Sequence, residues 1–174
     1  MLQRLFRPNP ARLAGEALYA AAAGQARRPD FYTRGGVADT REGRFELYTL
    51  HVILLVERLK GETGLAGEAR QLLFDRYVKG LDDAFRELGV GDLSVAKRVK
   101  KLGQAFYGRL KAYEEAVAGL PDAAALTDLL TRTVLEDRVE AAGALADYVI
   151  RTRDALSRQS VEALLTGEPH WETL

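Results

Sequence analysis

Apolar residues recur at steps of three and four positions through most of this chain, and that spacing limits the fold more than any other feature. Such steps place side chains on one face of an α-helix. They are clearest in two segments, at about 67–88 and about 94–118. We find no convincing strand pattern and no internal repeat. The apolar positions of the two segments are Phe74, Tyr77, Val78, Leu81, Phe85 and Leu88, then Val95, Val99, Leu102, Phe106, Leu110, Tyr113 and Val117.

Glycine and proline breakers divide the rest of the chain into further helices. The segment at about 41–60 contains the longest apolar run, residues 47–56. This run is too short to span a bilayer, which needs about 20 apolar residues, so we predict a central buried helix. The predicted fold is all-α, a single globular domain of six or seven helices packed around this central apolar helix. The other helices are expected at about 10–25, 122–135 and 137–156, with a short segment near 161–166.

The two ends of the chain differ from this helical region. Residues 1–10 form a short N-terminal arm that ends at two prolines, and residues 167–174 form a polar C-terminal tail. Between them, residues 11–166 make one helical domain, as expected for a chain of 174 residues. Within the arm, Leu2, Leu5 and Phe6 lie beside two arginines, which is the pattern of a weak membrane-contacting foot.

Turn and capping residues precede the helices at 41–60 and 94–118. Asp39 and Thr40 are suited to cap the first of these helices, and the charged residues that follow are suited to brace it. Glycines before the second helix permit a tight turn at its start. We assign a structural role to Asp39, Thr40, Gly43, Arg44, Glu46, Gly89, Gly91 and Asp92.

Composition argues for a binding protein rather than an enzyme. Lys and Arg together equal Asp and Glu, 25 of each, so the chain lacks the overall positive charge of most nucleic-acid-binding domains. It has no cysteine and two histidines. We therefore expect no catalytic residues, no cofactor and no metal site. His51 lies within the apolar run and is predicted to be a core histidine, whereas an enzyme would place a deep pocket and carboxylates beside it.

The helix at about 94–118 carries Lys97, Lys101 and Lys111 on the side opposite its apolar stripe, with Lys100 alongside. Lys97, Arg98, Lys100 and Lys101 lie in its first turns, where each exposed cation opposes the helix dipole by about 0.3–1 kcal/mol. Gly108, in the interior of the helix, costs about 1 kcal/mol relative to alanine. A face that binds a partner explains both features. A solvated face, with nearby acidic residues neutralising the lysines, is the alternative.

Two long segments resemble the signature of a known family. GGVADTREGRFELYTLHVILLVERLKG and YVKGLDDAFRELGVGDLSVAKRVKKLGQAFYGRLKAY are similar to sequences of the ubiquinol–cytochrome c chaperone family, and the resemblance covers about residues 28–135. These proteins are assembly factors for respiratory complex III in mitochondria and alphaproteobacteria. The resemblance implies a non-enzymatic chaperone that binds newly made cytochrome b.

The resemblance also implies further partners and a location. Besides cytochrome b as client, it implies the ribosome near the tunnel exit and a membrane surface, but neither DNA nor a small-molecule substrate. Since we find no long transit peptide and no membrane anchor, the favoured location is the cytoplasm of an alphaproteobacterium, peripheral at the inner membrane. The mitochondrial matrix is the less favoured location.

On this basis the cationic helix becomes the candidate docking site. Its basic residues would contact acidic loops of the client, anionic lipid headgroups or ribosomal RNA. A helical RNA-binding or ribosome-binding module that uses the same helix, 94–118, is the alternative function. The candidate partner-binding residues are Lys97, Arg98, Lys100, Lys101, Gln104, Tyr107, Gly108, Arg109 and Lys111.

Overall fold

The computed structural model describes residues 9–87 and 95–174, apart from the side chains at positions 85, 95, 96 and 98. The hypotheses on the arm at 1–8 therefore lie outside the described residues. So do the structural roles assigned to Gly89, Gly91 and Asp92.

The described residues form α-helices, one 3₁₀ turn and no strand, which confirms the all-α prediction. Six helices of ten residues or more correspond to the six long helices expected from the sequence. The bounds are α1 (Pro10–Ala26), α2 (Pro29–Thr33), α3 (Arg41–Arg58), α4 (Gly64–Glu87), α5 (Val95–Val117), α6 (Ala124–Thr133), α7 (Ala142–Arg158) and α8 (Val161–Leu165), with the 3₁₀ turn at Val139–Ala141.

The helix α3 occupies the centre of the domain, as its apolar run predicts. It packs against α1, α4, α5 and α7. The Oγ1 atom of Thr40 accepts a hydrogen bond of 3.0 Å from the backbone N–H of Gly43, the expected N-cap. Gly43 itself is buried so close to the carbonyl oxygen of Ala38 that a Cβ atom would overlap it. The capping turn therefore requires both the threonine and the glycine.

The short helix α2 was not expected, because the sequence around it reads as a loop. Pro29 at its first position suits a helix start. The side chain of Phe31 then buries itself in the core, in edge contact with the rings of His51 and Tyr148. Phe31 is the one residue of α2 that is buried, and five residues are too few for periodicity to detect.

The last eight residues lie against the helices. The guanidinium of Arg151 donates a hydrogen bond of 2.8 Å to the carbonyl of Thr173, and the side chain of Gln25 donates one of 3.4 Å to the carbonyl of Glu172. The ring of Trp171 meets that of His51 edge-on, with 5.3 Å between centroids. The segment predicted as a polar tail thus joins α1, α3 and α7.

Among the helices formed by residues 9–87 and 95–174, none has both the length and the hydropathy needed to cross a membrane.

Candidate partner-binding surface

The helix α5 has the two faces that its periodicity predicts. Its apolar side packs against α4 and α6, where Phe106 and Tyr113 are each only 1% exposed. Its polar side is open to solvent. The exposed residues of that side include Lys97, Lys100, Lys101, Gln104, Gly108 and Lys111. The side chain of Arg98 is outside the described residues.

Two of the three acidic residues suggested as partners for the first-turn lysines, Asp82 and Asp83, pair elsewhere, and the third, Asp92, lies outside the described residues. Asp82 pairs with Arg86 at 3.0 Å, and Asp83 pairs with Lys79 at 3.5 Å, all within α4. Lys97, Lys100 and Lys101 make no ion pair with any described residue. Further along the helix, Lys111 lies 3.7 Å from Glu115. No described residue therefore neutralises these three lysines, and their charge is available to an external partner.

An exposed aromatic ring and a stretch of bare backbone lie further along the same helix. Tyr107 is 54% exposed, and its ring lies 5.1 Å from that of Phe74 between centroids. Gly108 is exposed, and a Cβ atom added there would meet nothing within 4 Å. No contact with a described residue therefore requires a glycine at this position. Close approach of a partner to the helix backbone would give a physical reason for it.

Replacing Gly108 with alanine is expected to raise the free energy of unfolding by about 1 kcal/mol, because alanine is the better helix former and the space is open. Thermal unfolding followed by circular dichroism measures the change. The matched control is Gly15→Ala in α1, where the new Cβ would lie 2.8 Å from the Cβ of Leu72 and 3.1 Å from the carbonyl oxygen of Ala69. That substitution should destabilise by about 1–3 kcal/mol. A loss of stability in Gly108→Ala would show that the position is packed after all.

Arg109 differs from the other candidate residues because it faces the protein. Its Nε atom donates a hydrogen bond of 2.7 Å to Oε2 of Glu46 on α3, and its Nη2 atom donates to Oε1 of the same carboxylate. This bidentate partner raises the pKa of Arg109. The guanidinium also lies 5.8 Å from the ring centroid of Phe45. Arg109 therefore joins α5 to α3, and Glu46 braces both helices rather than α3 alone.

A groove of about 900 Å³ opens beside the start of α5. One wall of the groove comes from α4 and α5, which contribute Leu81, Ala84 and Leu102. The opposite wall consists of residues from α1, α2 and α3, including Tyr19, Phe45 and Tyr48. No pattern in the sequence links these helices, so that wall was missed.

His51 has no ring nitrogen available for acid–base chemistry. The side chain is fully buried. Its Nδ1 atom lies 2.8 Å from the carbonyl oxygen of Leu47, and its Nε2 atom lies 2.8 Å from the hydroxyl of Tyr148. Burial lowers the pKa of His51 to about 4. The ring is thus a neutral core histidine, as the sequence predicted, and no cluster of metal-binding side chains occurs within residues 9–87 and 95–174.

Comparisons with known proteins agree with this architecture. A family model described as Ubiquinol-cytochrome C chaperone matches residues 33–171, which extends the similarity to Trp171. The mouse (Mus musculus) ubiquinol-cytochrome c reductase complex assembly factor 1 is 26% identical to this chain over 149 residues. The match covers 83% of this chain and 50% of the mouse protein, so this chain spans about half the length of that relative. The crystal structure of the Cbp3 homolog from Brucella abortus is similar with a TM-score of 0.87 and 37% identity, over 99% of this chain and 97% of the other.

Proposed function

Because the chain belongs to the ubiquinol–cytochrome c chaperone family, we propose that it acts as a chaperone in the assembly of the ubiquinol–cytochrome c reductase complex, with newly made cytochrome b as its client. In this proposal the protein binds and releases its client without catalysing a reaction. The client inserts into a membrane, so the proposed place of action is the cytoplasmic face of a bacterial inner membrane. Contacts with the ribosome and with membrane lipid belong to the same proposal.

The proposed docking site is supported by lysines at the start of α5 that form no ion pair with any described residue. Lys97, Lys100 and Lys101 are exposed and make no ion pair with a described residue, and the exposed ring of Tyr107 lies further along the same helix. Cations steer an acidic partner toward a surface and fix its orientation. An exposed aromatic ring supplies apolar contact area to the same partner. Such a surface suits a helical protein whose loops carry acidic residues.

Other candidate residues contribute in different ways. Gln104 and Lys111 extend the surface along α5 and are exposed. Gly108 would allow the partner to approach the helix backbone closely. Arg109 contributes from behind the surface, because its bidentate bond to Glu46 holds α5 on α3.

The test is a capture experiment from crosslinked cells with wild-type protein and a Lys97→Glu, Lys101→Glu variant. Two contacts of about 1 kcal/mol each correspond to a roughly thirtyfold loss of affinity when both are removed, so the variant should recover far less cytochrome b. The matched control is Arg12→Glu, Arg158→Glu, which changes the net charge equally. Those two arginines are exposed on α1 and α7, and among the described residues each pairs only with an acid of its own helix.

Three results would contradict parts of this proposal. Equal capture by wild type and the α5 variant, with both folded, would leave the client in place and remove the docking site. If the variant and the control both captured less cytochrome b to the same degree, the loss would depend on net charge rather than on the position of the lysines. Recovery of ribosomal RNA without cytochrome b, lost in the α5 variant and at high salt, would favour the RNA-binding module.

A further inference from the structure

We propose that the groove between α1, α2 and α3 on one side and α4 and α5 on the other binds an anionic lipid, with the acyl chain along its apolar wall and the anionic head group at its arginine-bearing rim. This inference goes beyond the proposed client and uses residues outside the exposed face of α5. It rests on the lining of the groove, its size and its charge.

The wall of the groove is largely apolar and includes four aromatic residues. Tyr19 and Tyr48 meet edge-on with 5.9 Å between their ring centroids, and both line the groove. Phe45, Leu81 and Leu102 continue the lining. Aromatic and aliphatic walls of this kind are typical of sites for small apolar ligands.

The size of the groove favours a small ligand over a whole helix. Its volume is about 900 Å³, within the usual range of small-molecule sites, roughly 300–1,000 Å³. A membrane-spanning helix, about 30 Å long and about 10 Å across, occupies on the order of 2,400 Å³. A lipid chain therefore fits the groove better than a transmembrane segment of a client.

The charge at the rim selects an anionic head group. Arg44 is already engaged by Asp39, with 2.5 Å between Nε and Oδ1. Arg27 and Arg41 also line the groove, are exposed, and make no ion pair with a described residue. Against them the described lining offers only one further acid, Glu42. Guanidinium groups bind carboxylate and phosphate through paired hydrogen bonds, so either head group suits this rim.

The test is isothermal titration calorimetry on the full chain with three probes. The probes are oleate below its micelle concentration, a soluble short-chain phosphatidylglycerol, and the phosphatidylcholine of the same chain length. We expect saturable binding of at least one anionic probe and weaker binding of phosphatidylcholine. Binding of oleate alone identifies a fatty acid as the ligand, and binding of phosphatidylglycerol alone identifies a phospholipid.

Two variants place the ligand in the groove. Arg27→Glu, Arg41→Glu reverses the rim charge, and Ala84→Trp fills the space from an exposed position on α4. Each should weaken binding by roughly tenfold or more, because one removes the head-group contacts and the other the room for the chain. The control Arg132→Glu, Arg158→Glu, at exposed positions on α6 and α7, should bind as wild type does.

Four outcomes overturn the proposal. The first is that neither anionic probe binds saturably, and the second is that phosphatidylcholine binds as tightly as they do. The third is that folded groove variants bind as wild type does, and the fourth is that the control variant weakens binding as much as the groove variants do. If no lipid binds while Ala84→Trp abolishes capture of cytochrome b, the groove holds a client segment instead. Failure of the lipid proposal leaves the proposed chaperone function intact, because that function is tested by capture and by the α5 variant.

Discussion

Replacing Phe106 with alanine is expected to lower the free energy of unfolding by about 3–5 kcal/mol. The side chain is 1% exposed on the inner face of α5. Its ring centroid lies 5.0 Å from that of Phe74 and 5.1 Å from that of Tyr77, both on α4. Removing the ring therefore leaves a cavity between the two helices as well as losing buried apolar area. Urea unfolding followed by circular dichroism measures the loss.

The matched control lies one position further along the same helix. Tyr107 belongs to the same aromatic cluster but is 54% exposed, so Tyr107→Ala should cost about 1 kcal/mol or less. Equal losses at the two positions would contradict the orientation of α5 described above. Because Tyr107→Ala should remain folded, it also tests the docking surface: reduced capture of cytochrome b is the expected result.

Acidification is expected to lower the free energy of unfolding by about 3 kcal/mol between pH 6.5 and pH 4 through His51 alone. Burial lowers the pKa of His51 from 6.5 to about 4 in the folded protein. The unfolded chain therefore binds a proton at this position more readily than the folded protein does. This contribution is fully present above pH 6.5 and is lost as the pH falls toward 4. Unfolding curves recorded at several pH values in this range measure how steeply the free energy of unfolding falls with pH.

The comparison that isolates this effect is His51→Gln. Carboxylates also titrate as the pH falls, but they are common to both proteins, so the difference between the two slopes belongs to His51. The substitution also changes the hydrogen bonds to the Leu47 carbonyl and the Tyr148 hydroxyl, so the dependence of stability on pH is compared rather than the absolute stability. Identical slopes in both proteins would contradict a neutral, buried His51.

The environment of His51 shows what a sequence can and cannot reveal. Its position within an apolar run was enough to predict burial. Its hydroxyl partner, Tyr148, lies 97 residues away on α7, and that hydroxyl also accepts a hydrogen bond from Gln25 on α1. Trp171 covers the ring from the C-terminal segment. Nothing in the local sequence marks these residues as neighbours, and the last of them lies in a segment that reads as a polar tail.

The elements of the fold were more accessible to prediction than its contacts. The caps and periodicity of α3 and α5 depend on residues only a few positions apart, so the threonine cap and the two faces of α5 were predicted correctly. The five-residue helix α2 was not predicted, because its only buried side chain, Phe31, leaves no periodic pattern in the sequence. The far wall of the groove was not predicted, because it consists of residues from α1, α2 and α3 that are distant in the sequence.

The sequence by itself therefore determined an all-α chain, a central helix and a helix with a cationic face, since each of these depends on the order of nearby residues. Only the tertiary structure decided which cations remain available. Lys97 and Lys101 have no described ion-pair partner, whereas Arg109, on the same helix, is held by Glu46 from 63 residues away. The physical reason is that a charge is neutralised by whatever lies within a few ångströms in space, and folding brings together side chains that the sequence keeps far apart.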